Sequence, residues 1–88
     1  RLVNVLNNRT DMRELWIYKY VVNDNNTGAK LMSQETICLS KEEAMKMLES
    51  KYAENASEFE ITEGFFSAER AWHSIDGLHM EYAIRRIV

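Results

Sequence analysis

Apolar and polar residues change rhythm several times along this chain, and each change marks an element. Residues 14–22, ELWIYKYVV, are rich in Trp, Ile, Tyr and Val, the side chains that suit a pleated surface, and predict a strand. Leu15, Ile17, Lys19 and Val21 share one face of this predicted strand; Trp16, Tyr18, Tyr20 and Val22 share the other. Both faces are largely apolar, so the pattern predicts a strand with something packed on each side. Asn23, Asp24, Asn25, Asn26, Thr27 and Gly28 tolerate positive φ or bond to their own backbone, and predict a hairpin loop. Residues 29–39 return as a second strand, with Leu31, Ile37 and Leu39 on one face and Met32, Thr36 and Cys38 on the other. Superposing the aliphatic faces of the two strands leaves the aromatic face together with Met32 and Cys38.

The period then lengthens. Ser40, Lys41, Glu42 and Glu43 form a capping box, in which Ser40 accepts from the Glu43 amide and the Glu43 carboxylate reaches back to the Ser40 amide. A helix is predicted over 41–54, with Ala44, Met45, Leu48 and Tyr52 on one apolar stripe. Glu42 and Lys46 are an i,i+4 pair in the favourable direction, worth about 0.3–0.5 kcal/mol. The pattern fades at Asn55, Ala56 and Ser57.

Period two resumes in 58–63, EFEITE, which predicts a strand with Phe59 and Ile61 on one face; Gly64 then marks a bulge or bend. Phe65 to Ser74 reads as strand, Asp76-Gly77 as a turn, and 78–87 as a last strand with Leu78, Met80, Tyr82 and Ile84 inward. Two registers compete. A two-residue turn sets Ile75 against Leu78 and Glu69 against Ile84. A three-residue loop with Gly77 in the left-handed region sets Ser74 against Leu78 and Ala68 against Ile84. The second keeps the Glu69 charge out of the core and is preferred; it places Arg70 across from Tyr82.

The predicted fold is therefore α+β: an antiparallel sheet of four strands, with room for a fifth, in β-β-α-β-β order, and one helix packed on one face. Residues 13–88 make a single domain, and residues 1–12 an N-terminal arm, flexible or docked. Met12 is a candidate native start, in which case residues 1–11 derive from upstream sequence.

Length and composition narrow the function classes. At 88 residues and 45% hydrophobic content the chain suits one globular domain. No apolar run approaches the roughly 20 residues of a membrane span. A single cysteine, Cys38, forms no internal disulfide and points to a reducing cytoplasm. The net charge is −3; residues 41–63 hold three Lys and seven Glu, so the acid sits on the helix and its exit. Such a chain lacks the clustered Lys and Arg of a nonspecific phosphate binder.

Candidate chemistry is sparse. His73 and His79 flank the last turn, where they could share a face, but zinc sites favour close pairs such as C-x₂-C or H-x₃-H, and two partly exposed strand histidines are expected instead. Cys38 reads as a small buried hydrophobe. Glu58 and Glu60 look like a solvated strand face. The three glycines stand apart from one another, unlike a phosphate-binding loop. No catalytic residue, metal or cofactor is indicated.

A helix of about 14 residues is roughly 21 Å long and covers one sheet face. The face of Trp16, Tyr18, Tyr20 and Val22 then needs another cover, and Tyr and Trp are favoured at interface hot spots. The expectation is a small non-enzymatic protein-interaction module acting through that aromatic face or an edge, with a protein partner or a second copy. The alternative is a nucleic-acid binder using Arg70, Arg85 and Arg86 beside strand aromatics. In architecture, size and charge the chain resembles accessory proteins of phages and mobile elements, some of which block bacterial defence complexes. The resemblance implies an accessory or inhibitor role.

Overall fold

The computed structural model describes residues 14–88. The expectations for residues 1–12 lie outside the described residues. Among the described residues one antiparallel sheet of five strands carries one helix. In chain order the elements are β1 (Trp16–Asp24), β2 (Lys30–Cys38), α1 (Lys41–Glu58), β3 (Glu63–Phe66), β4 (Arg70–Ile75) and β5 (Leu78–Arg86). Across the sheet the order is β2-β1-β5-β4-β3, so the first and last of these strands lie side by side in the middle.

Local chemistry explains the connections. Asp24 Oδ1 accepts from the amides of Asn26 at 2.7 Å and Thr27 at 3.1 Å, which ties the β1–β2 loop. The β4–β5 turn holds Asp76 at φ 42° and Gly77 at φ 85°. Both central residues in the left-handed region make this the tight two-residue turn that matches strand twist. Ile75 therefore pairs with Leu78, and Arg70 with Ala83. The three-residue loop preferred from sequence is overturned, together with the placing of Arg70 opposite Tyr82. The objection had been a buried Glu69. Its backbone carbonyl does accept from the Ile84 amide at 3.1 Å, but its side chain stays exposed and meets Lys41 Nζ at 2.7 Å. The charge is answered at the rim of the core.

The helix starts as expected. Ser40 is extended, and its side chain accepts from the Glu43 amide at 3.1 Å. The return bond differs by one residue: Glu43 Oε1 accepts from the amide of Leu39, not of Ser40. The helix runs on to Glu58, four residues past the predicted end at 54. Residues 59–62 are accordingly not a strand, β3 begins only at Glu63, and the run from Phe65 to Ser74 is divided between two strands folded back on each other. Ser67 makes the fold-back, with its amide bonded to the Arg70 carbonyl and its Oγ accepting from the Arg70 amide. Gly64 lies in β3 opposite His73. A Cβ there would stand 3.1 Å from His73 Cβ and 3.2 Å from the Trp72 carbonyl. Its role is close approach, not a bend.

Helix α1 covers the face formed by Tyr18, Tyr20, Val22, Cys38, Ala71, Ile75, Met80, Tyr82 and Ile84, all of them buried with Ala44 and Leu48 of the helix. This reverses the expected assignment. The aromatic face of β1 is the covered one, and the Ile17–Lys19–Val21 face is bare. The physical reason lies in the neighbours: cross-strand pairing sets Lys19 beside Glu35 and Ala83, and Val21 beside Glu81. A face carrying charge in its middle rows stays in water, because an ion is costly to bury.

Candidate functional site

Each predicted site residue now has a place. Tyr18, Tyr20 and Val22 form core beneath α1 and are not available to a partner. Trp16 is half-buried at the end of the same row, with Lys41 Nζ 5.5 Å above its ring. Their predicted role as an open interaction face is therefore corrected. Arg70 and Arg85 do share a face, the bare one. Arg86 points to the helix side, near Glu14 at 4.0 Å and with Nε on the Val88 carbonyl at 2.9 Å. The three arginines do not form one patch.

The histidines separate as well. His73 lies on the helix side and is fully buried; His79 lies on the bare side, half-buried, 3.3 Å from Glu81 Oε2 and with its ring 5.3 Å from that of Trp72. They do not share a face, and His73 is not the partly exposed residue the sequence suggested. Cys38 is buried, its thiol 3.6 Å from Met47 Sδ, and burial pushes its pKa up, which disfavours the nucleophilic thiolate. Among the described residues no three His, Cys, Asp or Glu side chains converge as a metal site.

The polar chemistry of the interior is a chain of four side chains. Asn55 Nδ2 donates to Tyr20 Oη at 3.0 Å and to Tyr82 Oη at 2.8 Å. Tyr82 Oη lies 2.5 Å from His73 Nε2. Tyr52 stacks on the imidazole with centroids 4.5 Å apart. Burial, with a smaller push from His79, lowers the His73 pKa; burial also raises that of Tyr82. Perturbed titration at such a cluster can mark catalysis. Here the side chains are sealed: His73 and Tyr82 are 0% and 1% exposed, so no substrate reaches them. The network organises the core.

What remains accessible is the bare sheet face and the outer edge of β2. The face carries, strand by strand, Ile37 and Glu35, then Ile17, Lys19 and Val21, then Arg85, Ala83 and Glu81, then Arg70 and Trp72, and finally Phe65. An open-sided trough of about 470 Å³ runs across it, with Ile17, Ala83 and Trp72 in its walls and Lys19, Arg70 and Arg85 around it. Ile37 is 54% exposed and Phe65 51%. The charges are mixed, since Lys19 already pairs with Glu35 at 3.6 Å. Strand β2 borders this face as an outermost strand of nine residues, and Lys30 to Glu35 are all exposed. Sequence reasoning named the wrong face because a period of two says which residues share a side, but not which side receives the helix. The available signal was Lys19, the one charge in the centre of β1.

No helix of the described residues is long and apolar enough to cross a membrane. Compared with protein-family models, curated proteins and solved structures, the chain matches none.

Proposed function

We propose that this chain is a small non-enzymatic protein-interaction module that works in the cytoplasm through its bare sheet face and the adjoining β2 edge. The observation that carries the reading is the one-sided cover. A single helix protects one face, while the other holds Ile17, Ile37, Trp72 and Phe65 among mixed charges, with no helix or strand of the described residues laid over them. Apolar and aromatic groups ringed by charge are the composition of an interface core and its polar rim. Sealed polar groups and a buried thiol give catalysis no foothold, which favours binding over turnover. The architecture fits an accessory or inhibitor protein that occupies a surface of a larger assembly.

The test uses the folded protein as bait beside Ile17→Asp and Phe65→Ala variants, each checked for native circular dichroism. A partner retained by the parent and released by the variants supports the reading. A second reading, nucleic-acid binding, draws on Arg70 and Arg85 standing beside Trp72 on the same face. It would be favoured if single-stranded DNA or RNA bound in a strongly salt-dependent way and was released by Arg70→Ala with Arg85→Ala, whereas Arg86→Ala had no effect. Loss of neither ligand in these variants would remove the bare face from consideration.

A further inference from the structure

The outer edge of β2 is the longer of the two sheet edges. Strand β2 has nine residues and β3 has four. Among the described residues its backbone donors and acceptors on that side meet no strand, because β2 ends the sheet. Soluble proteins usually blunt such an edge with charge, proline or brevity. Here the sequence KLMSQETIC has one charge near its start and one past its middle, no proline, and Leu31, Met32 and Ile37 exposed at 56%, 45% and 54%. A bulge between Val22 and Asn23 marks only the first end; from Met32 to Cys38 the ladder is unbroken.

We infer that the occupant of this edge is a second copy of the same chain, joined by antiparallel β2–β2 pairing about a two-fold axis through Gln34. The inference rests on the reading of the exposed sheet surface as an interaction surface, and names its partner. A two-fold axis perpendicular to the sheet sets each residue against one on the same face, so the pairing is centred on a residue and few registers exist. Centring on Glu35 sets the two Glu35 carboxylates against each other. Centring on Ser33 sets Leu31 against Glu35 of the second copy. Like charges directly opposite are destabilising, and an aliphatic side chain opposite a carboxylate leaves its apolar surface in water. Centring on Gln34 matches the regular run from Met32 to Cys38 and brings Leu31, the residue at the bulge, to its end. Leu31 meets Ile37 of the second copy, Met32 meets Thr36, Ser33 meets Glu35, and the two Gln34 amides meet each other. The exposed aliphatics cover one another at both ends of the joint, no like charges face, and ten strands form one sheet with both helices on one side.

Helix α1 does not obstruct this joint. Met32 and Gln34 are exposed on the helix side of β2, so a strand can approach under no overhang.

The experiment is sedimentation equilibrium of the full chain from micromolar to millimolar concentration, joined to disulfide trapping. The parent is expected to sediment as a dimer, and Ile37→Lys to weaken association by about tenfold or more. Gln34→Cys should link to itself under mild oxidation. Ser33→Cys and Glu35→Cys should each fail alone and link when mixed. The unsubstituted protein, whose Cys38 is buried, should not link. A monomeric parent, or a dimer in which Gln34→Cys stays unlinked, overturns the inference. Capture of a different partner by the bare face, sensitive to Ile17→Asp, would survive either result, so failure of the dimer and failure of the interaction reading are separable.

Discussion

Asn55 is the residue whose removal says most about this core. It is 5% exposed, and one amide group satisfies the hydroxyls of Tyr20 and Tyr82. Asn55→Ala leaves two buried hydroxyls short of a donor and opens space beneath the helix. We expect a loss of about 2–4 kcal/mol, read as a lower urea midpoint with unchanged slope. His73 supplies a pH dependence with a definite sign. Its folded pKa lies below the ordinary histidine value of about 6.5, since burial disfavours the imidazolium and the rings around it, Tyr52 and Tyr82, offer no carboxylate. As pH falls through about 6.5 the unfolded chain takes up a proton that the folded chain refuses, so stability drops; above about 6.5 this contribution is flat. Urea titrations between pH 7.5 and 5.5 should show the decline, and His73→Gln, whose amide can either donate to or accept from Tyr82 but does not titrate, should flatten it. None of this network was legible in the sequence. Asn55 sits where helix propensity fades, and its worth comes from two tyrosines far away in the chain.

At the scale of elements, the helix cap was legible because it is built from residues three apart. Ser40→Ala should cost about 1 kcal/mol, measured by thermal or urea unfolding, and should leave the fold unchanged. The β1–β2 hairpin was legible for the same reason: Asp24 ties its own loop. The misread elements each depended on a distant partner. The helix outran its propensity through Asn55 because the buried amide holds the last turns to the sheet. The β4–β5 register looked unfavourable until Lys41, on another element, was placed beside Glu69. The strand expected at 58–63 has the right alternation, but Phe59 donates its amide to the Asn55 carbonyl and closes the helix. Local patterns named the pieces; the side each piece presents was decided between them.

The whole molecule is an uneven structure. Its centre is β1 and β5, paired along Trp16–Arg86 to Asp24–Leu78 and roofed by the helix, while β2 and β3 hang at the margins with mostly exposed side chains. Backbone amides of β1 and β5 should exchange slowest with deuterium, those of β3 fastest among the strands, and those on the outer edge of β2 should slow with rising protein concentration only if the edge pairs. The central position of β1 and β5 also has a consequence in time. Those two strands are far apart along the chain, and every pair between them closes a long loop before it is rewarded, which slows folding at a cost that grows with the logarithm of the loop length. During synthesis the β1–β2 hairpin, the helix and the β3–β4 hairpin can all exist before Leu78 is added, yet no strand joins the two hairpins until β5 arrives between them, and the helix alone touches both. A chain ending at Gly77 should therefore show hairpin and helix signals in circular dichroism but no cooperative thermal transition, and the chain through Val88 should gain its single transition only with β5 in place.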